Sequence, residues 1–313
     1  MGEEVSDGQR RDSSGRGLRV GVVTVAHGRH DHLREQRRVL VQVAPEVHHV
    51  VVAIDDRMIG DVVGGEMDDF GQAREASGGA GSRESCGGVE VLHVPTDPRG
   101  LPLARARNLG VGAAVAAGCE LLVLLDVDCV LAPGAVEAYV AAAARFPDAL
   151  LAGPVTYLPE GQEVPGEPAL LLDLVDPHPS RPAPPAGEVL TGGDHRLFWS
   201  LSAALTEATW RRIGGFDEAY VGYGAEDTDV GRRAQERGVD LAWVGGADAF
   251  HQYHPVSRPP VEHLVDIVRN ATLYHQRWGQ WPMAGWLEEF ARRGLVDWTE
   301  AGPTVSVRGA GRR

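Results

Sequence analysis

The chain is poor in the features that would assign it quickly. Its three cysteines, Cys86, Cys119 and Cys129, form no C-x-x-C pair and no even set from which a disulfide framework could be built. A reduced, cytoplasmic protein is the simplest reading. No window approaches the roughly 18–20 unbroken apolar residues of a membrane-spanning helix. The opening MGEEVSDGQRRDSSGRG lacks the apolar centre of a secretory signal. MGEEVS fits the loose myristoylation pattern, but residues 1–17 otherwise read as a disordered leader. Clustered positive charge is also missing. The formal net charge is −14 and the arginines are scattered, which argues against a nucleic-acid partner. No internal repeat is visible, and nothing in the sequence speaks to oligomeric state.

Apolar residues, by contrast, make up 43% of the chain, ample for a large core, and the length allows one to two domains. Leu18–Ala26 reads as a buried strand, followed by the polar HGRHDH and a helical pattern through LREQRRVLVQV. His49–Ile54 is a second strand, ending in Asp55-Asp56. Residues 58–88 are rich in glycine, serine and acids, keep no period, and read as a mobile surface insertion. A strand at Val89–Val94, an alanine-rich helix at Leu103–Gly118 and the strand LLVLL at 121–125 follow. This alternation predicts an α/β fold with a mostly parallel central sheet and helices on both faces. LLVLL has no polar residue, as suits a strand buried on both sides. Ligands of such sheets sit beyond the carboxyl ends of the strands, which places Ala26–Arg29, Asp55-Asp56 and Asp126–Asp128 on one rim. A helix at Pro133–Phe146, a strand at Leu150–Leu158, loop over Pro159–Gly187, a strand at Leu197–Leu205 and a short helix at Glu207–Arg212 are expected next. Val261, Leu264, Val265 and Val268, then Met283, Trp286, Leu287 and Phe290, recur at helical spacing. They predict a C-terminal helical pair packed on the sheet, and PTVSVRGAGRR reads as a tail.

Three constellations could carry chemistry. LLVLL runs straight into Asp126-Val127-Asp128. On an extended backbone the two carboxylates share one side, and at about 6 Å they repel by roughly 3 kcal/mol at an effective dielectric near 20. A hard divalent cation, Mg2+ or Mn2+, would relieve that repulsion, although a solvated turn would too. The second is GGFDEAYVGYGAEDTDV at 214–230, in which Gly222 and Gly224 free the backbone near Tyr223, Glu226 and Asp227. It could present a carboxylate to a substrate hydroxyl, or simply cap the following helix through Thr228 or Asp229. The third is AFHQYHP at 249–255, where His251 or His254 could complete a metal site and tilt it from Mg2+ toward Mn2+.

Together these pieces resemble the GT-A glycosyltransferases, family-2-like with a galactosyltransferase-type C-terminal region. LARARNLGVGAAVAAGCELLVLLDVDC resembles their helix leading into the D-x-D strand, GGFDEAYVGYGAEDTDVGRR their acceptor-side acidic motif, and the histidine of AFHQYHP their late metal ligand. The resemblance covers roughly 18–256 and implies a Rossmann-like GT-A domain. Its nucleotide-binding half would span 18–130 and its acceptor and metal half 131–256, followed by a helical extension at 257–297 and a tail at 298–313. It implies a metal held by Asp126, Asp128 and His251, with Asp128 the more direct ligand and His254 a less favoured substitute. Asp227 matches the catalytic base and Glu226 the acceptor-binding acid beside it. The donor nucleotide would meet Ala26, Arg29, Asp55 or Asp56, Asp126 and Val127, with Arg105 and Asn108 near the diphosphate. Trp199, Tyr220 and Tyr223 are candidates to line the acceptor side, since aromatic rings stack on sugar faces, with Gly224 beside them. The first loop, VAHGRHDH, lacks the proline and asparagine common after that strand, and the Trp-rich RWGQWPMAGWLEEF has no family role.

The implied reaction moves a sugar from a nucleotide-diphosphate donor, with UDP-sugar favoured by the resemblance, to a carbohydrate or other hydroxyl acceptor. The metal offsets charge on the diphosphate, a carboxylate takes the hydroxyl proton, and attack from the opposite face inverts the anomeric centre. The rivals are a nucleotidyltransferase using the Asp126/Asp128 pair and a non-catalytic sugar-binding protein. A two-metal hydrolase built on His27–His32 fails at one ligand, because Arg29 stands where H-x-H-x-D-H needs histidine.

Overall fold

The computed structural model describes residues 17–64, 83–86, 88–299 and 302–306, with backbone only for 83–86. The expected leader, apart from Gly17, and the end of the expected tail lie outside the described residues. The first half of the chain comprises Val20–Ala26 (β1), His30–Val43 (α1), His48–Ile54 (β2), Ile59–Gly64 (α2), Arg83–Cys86 (β3), Val89–Val94 (β4), Leu103–Ala116 (α3) and Leu121–Leu125 (β5). The second adds Cys129–Leu131 (β6), Ala135–Arg145 (α4), Leu150–Ala152 (β7), Val155–Tyr157 (β8), Val189–Leu190 (β9), Ser202–Thr206 (β10), Glu207–Ile213 (α5), Glu226–Glu236 (α6), Leu241–Val244 (β11) and Ala249–His251 (β12). Leu264–Trp278 (α7), Ala284–Arg292 (α8), Val296–Thr299 (β13) and Gly302–Val305 (β14) complete it.

Nine strands form one sheet in the order β3-β4-β2-β1-β5-β10-β7-β11-β9. β4, β2, β1, β5, β7 and β11 run one way, while β3, β10 and β9 oppose them. The sheet is therefore mixed but mostly parallel, as the alternating pattern implies. β5 is buried along its whole length. Leu121, Val123 and Leu125 pack with Val39, Leu40, Val136 and Tyr139 on one face, and Leu122 and Leu124 with Val111, Ile213 and Val230 on the other. That two-sided burial is why the strand carries no polar residue, each side chain contributing roughly 1.5–3 kcal/mol. β2 and β5 flank β1, so the chain reverses its direction of winding there and leaves a crevice at the carboxyl ends.

Four expectations need correction. The 58–88 segment is not loop at its ends, since α2 buries Ile59, Val62 and Val63 and β3 pairs with β4. Leu150–Leu158 is two strands, because Gly153-Pro154 breaks the run: β7 joins the large sheet and β8 a separate three-stranded one, β6-β12-β8. Gly153 is pressed so closely on the Ala247 carbonyl that a Cβ there would lie 1.8 Å from its oxygen. The C-terminal helices pack on each other and on the 220–225 loop rather than on the large sheet, burying Ile267, Ala271, Leu287 and Phe290. The start of the expected tail is a hairpin, β13 with β14, packed on α7.

Candidate active site

The loops after β1, β2 and β5 converge on one rim. β5 ends at Leu125 in a tight turn, closed by the Cys129 N–H donating to the Asp126 carbonyl at 2.9 Å. This corrects the extended geometry expected for Asp126 and Asp128. Because the backbone turns, the two carboxylates meet different partners. Asp126 accepts from Arg107 Nη2 at 3.1 Å, and Arg107 Nη1 donates to Glu226 at 3.3 Å. Asp128 faces His251 Nε2 at 3.6 Å and His254 Nε2 at 3.3 Å.

The small sheet makes the second meeting possible. Its register pairs His251 with Cys129 on β6 and with Tyr157 on β8, and the Gln252 N–H donates to the Asp128 carbonyl at 2.7 Å. Ligand atoms of Asp128, His251 and His254 all lie within 4.8 Å of one another. One carboxylate oxygen with two imidazole nitrogens fits a divalent ion on the Mn2+ side of Mg2+. Asp126, expected to share the metal, is engaged by Arg107 outside this cluster, whereas His254 belongs to it beside His251. Burial pushes the Asp128 carboxyl up, but the His254 hydrogen bond and the charges of His251, His254 and Arg29 outweigh it, so it stays below its ordinary value. Burial lowers His251 against the pull of Asp128, which favours the neutral, ligating imidazole.

The acidic loop reaches the site at the start of α6. Its N-terminus is formed by Ala225 in the left-handed region with no side-chain cap, so neither Thr228 nor Asp229 caps the helix. Asp229 is fully buried and accepts from Arg233 Nε, Tyr220 Oη and Trp278 Nε1 at 2.7, 3.3 and 2.9 Å, tying α6 to α7. Asp227 Oδ2 accepts from the Ser200 N–H at 2.9 Å, and its buried Oδ1 has no protein hydrogen-bond partner. Burial pushes Asp126 up to about 6 and Glu226 up to about 7, with Asp227 adding to both and Arg107 opposing both.

The other residues expected at the site divide clearly. Ala26 is buried at the end of β1, and Val127 packs on the cluster that contains it. Arg29 is exposed, in the left-handed region at the head of α1. Asp56 braces the first loop, accepting from Gly28 N, Met58 N and His30 Nε2, which leaves exposed Asp55 the freer acid. His27 is bonded to the Ile54 carbonyl and His32 to that of Tyr253, so HGRHDH builds the β1–α1 turn and the start of α1 rather than a metal site. Arg105 is exposed on α3, and Asn108 is not free for a diphosphate, because its carboxamide is bonded to Phe216 N, Phe216 O and Glu218. Tyr223 stacks on His263 at 4.5 Å and faces Trp286 at 6.1 Å, and Trp199 meets His178 at 5.5 Å. Gly224 has φ +96.

A family model described as the N-terminal domain of galactosyltransferase matches residues 195–270, the stretch from before β10 into α7. N-acetylglucosaminyl-diphospho-decaprenol L-rhamnosyltransferase of Mycobacterium tuberculosis is 27% identical over 181 residues, 52% of this chain and 59% of its own. Validoxylamine A glucosyltransferase of Streptomyces hygroscopicus is 37% identical over 60 residues, 18% of this chain and 14% of its own. The crystal structure of GalNAc-T7 with UDP, GalNAc and Mn2+ superposes with a TM-score of 0.51 at 14% identity, covering 76% of this chain and 44% of that one. The chain shares the fold of that glycosyltransferase structure, and its 195–270 segment matches the galactosyltransferase family model. It spans less than two thirds of the length of these relatives.

Sequence reasoning missed Arg107, Ser200 and Asn270. Arg107 carried a usable signal: it shares the buried face of α3 with Ala104, Val111 and Ala114, at spacings of three and four, while Arg105 does not. Asn270, fully buried on α7, donates to the carbonyls of Val221, Tyr223 and Gly224 at 3.0, 3.2 and 3.0 Å and so holds the loop that precedes Glu226. No local pattern marks it. Ser200 acts through its backbone, which sequence does not display. Among the described residues no helix is long and apolar enough to cross a membrane.

Proposed function

We propose that the protein is a metal-dependent, inverting glycosyltransferase that moves a sugar from a nucleotide-diphosphate donor to an acceptor hydroxyl. The observation that carries this reading is Arg107. One buried guanidinium joins Asp126 of the donor-side turn to Glu226 of the acceptor-side helix, while Asp128 next door meets two histidines. This arrangement supports a reading in which donor and acceptor halves share one set of charges.

A divalent cation held by Asp128, His251 and His254 would supply positive charge where a diphosphate leaving group becomes more negative. Arg107 keeps Asp126 oriented beside that turn. Asp227 is oriented by the Ser200 N–H through one oxygen and offers the other to the acceptor hydroxyl, whose proton it takes. Glu226, with a raised pKa, can meet a second acceptor hydroxyl as donor or acceptor of a hydrogen bond. A base on the acceptor side, opposite the leaving group, favours direct displacement and inversion. UDP is the nucleotide of first choice, because the structural neighbour was solved with UDP, GalNAc and Mn2+. The relatives' names point to unlike acceptors, a diphospho-decaprenol-linked sugar and validoxylamine A, so the acceptor is assigned only as a hydroxyl compound.

The test joins a thermal-shift panel of nucleotide sugars, with and without Mn2+, to Asp227→Asn. A donor at about 100 times its dissociation constant should add roughly 2.7 kcal/mol of stability, and only with Mn2+. Asp227→Asn should keep that shift and lose about 10²–10⁴ in transfer rate. Equal transfer by variant and wild type would remove Asp227 as the base, and no shift with any nucleotide would remove the donor class.

A further inference from the structure

Behind the metal turn lies a buried polar chain that the reaction scheme does not use. Gln36 on α1 is 1% exposed, and Thr24 on β1 and His49 on β2 are fully buried. Gln36 Nε2 donates both of its protons to the turn, one to the Asp126 carbonyl at 2.7 Å and one to the Cys129 carbonyl at 2.8 Å. Thr24 Oγ1 donates to Gln36 Oε1 at 2.8 Å and lies 3.1 Å from His49 Nε2. A threonine hydroxyl has a single proton. With that proton on Gln36 Oε1, His49 must carry its own on Nε2 and donate to Thr24. The chain of donors therefore has one direction: His49 to Thr24, Thr24 to Gln36, Gln36 to the two carbonyls that bracket Asp126–Cys129. The two carbonyl acceptors decide which end of the Gln36 carboxamide is nitrogen. His49 Nδ1, the unprotonated nitrogen in this tautomer, is buried with no hydrogen-bond partner among the described residues, and burial with the nearby Arg37 charge lowers this imidazole to about 3.

We propose that Gln36 is the positioning residue of the metal turn. Its carboxamide, oriented by Thr24 and His49, holds the 126–129 backbone so that the Asp128 carboxylate faces His251 and His254. The turn has other fixed points: Cys129 N closes it on the Asp126 carbonyl at 2.9 Å, Asp126 N donates to the Leu201 carbonyl at 3.1 Å, Gln252 N donates to the Asp128 carbonyl at 2.7 Å, and Arg107 holds the Asp126 carboxylate. None of these reaches the Cys129 carbonyl, and among the described residues Gln36 is the side chain that bonds the carbonyls at both ends of the turn. Groups that orient metal ligands from behind commonly change metal affinity 10–100-fold when removed.

The inference rests on the metal reading of Asp128, His251 and His254, and its test keeps the two separable. Binding of Mn2+ alone is measured on the full chain by the electron paramagnetic resonance of free and bound ion, with thermal melts alongside. Gln36→Met, close in shape but without donors, should stay folded, weaken Mn2+ binding 10–100-fold and change the bound-ion spectrum. Thr24→Val should weaken it several-fold, and Thr24→Ser should restore it. A role confined to packing would lower the melting temperature and leave the metal affinity and spectrum unchanged. If Gln36→Met does not fold, the Thr24 pair decides: equal Mn2+ affinity in Thr24→Val and wild type overturns the proposal. If Asp128→Asn loses Mn2+ while folded Gln36→Met binds it within twofold of wild type, the positioning role falls and the metal site stands. If wild type takes up no Mn2+, the metal reading falls and takes this proposal with it.

Discussion

Glu226→Gln gives the sharpest test of the electrostatics at the site. The Glu226 side chain is 10% exposed, and burial and Asp227 push its pKa from 4.5 to about 7 despite the Arg107 contact. A carboxyl whose folded pKa is raised binds more protons folded than unfolded between those two values. Folding stability therefore falls as pH rises through the window. The penalty is absent below about 4.5 and complete above about 7. At about 1.4 kcal/mol per pH unit, a rise of this size corresponds to at most about 3 kcal/mol. Glutamine keeps the shape and cannot ionise, so the variant escapes the penalty. Urea unfolding in chelator should find the two proteins equal within about 0.5 kcal/mol near pH 4.5. The variant should be more stable by about 1–3 kcal/mol at pH 8, with unchanged m-value. A difference that is flat across this range, or a variant less stable at pH 8, would show that Arg107 holds Glu226 as a stable anion and would refute the reasoning.

Two further substitutions test the packing around the site. A Cβ at Gly222 would lie 2.1 Å from Asp266 Oδ2 on a backbone with φ +74. Gly222→Ala should therefore cost about 2–4 kcal/mol in a urea melt, and a cost below about 1 would mean that α7 yields easily. Arg181 is 5% exposed, stacked 5.2 Å from the Trp199 ring and 4.9 Å from that of Trp243, and none of its guanidinium nitrogens has a hydrogen-bond partner among the described residues. Replacing such a cation by an apolar side chain of similar volume is often neutral or stabilising. Arg181→Met should melt at or above the wild-type temperature, and a loss of more than about 2 kcal/mol would show that the ring contacts outweigh the unpaired charge.

LLVLL illustrates what was legible in advance. A run of five buried residues has no polar alternative, so its place at the centre of the sheet, and the rim it ends on, follow from composition and order. The same holds for the α/β class, for β1, β2 and β4, and for the D-x-D and Glu226-Asp227 pairs as a resemblance to GT-A glycosyltransferases. The failures share one cause. Asp126 and Asp128 were expected on one side because a strand alternates, but a single hydrogen bond from Cys129 N to Asp126 O turns the backbone. His254 was the less favoured histidine and Arg107 was not singled out, yet β12 registration and helical phase bring His254 to Asp128 and Arg107 to Asp126.

The sequence by itself determined the fold class and which residue types could do chemistry, because both depend on local pattern: burial period, charge, glycine placement. Only the tertiary structure decided which of those residues meet. Arg107 and Glu226 are 119 positions apart, His251 and Asp128 are 123 apart, and Gln36 and Asp126 are 90 apart. Such contacts are set by the register of β12 on β6 and by where α1 and α3 dock on the sheet; helical spacing marks a buried face such as that of Arg107 but not the residue it meets across the chain.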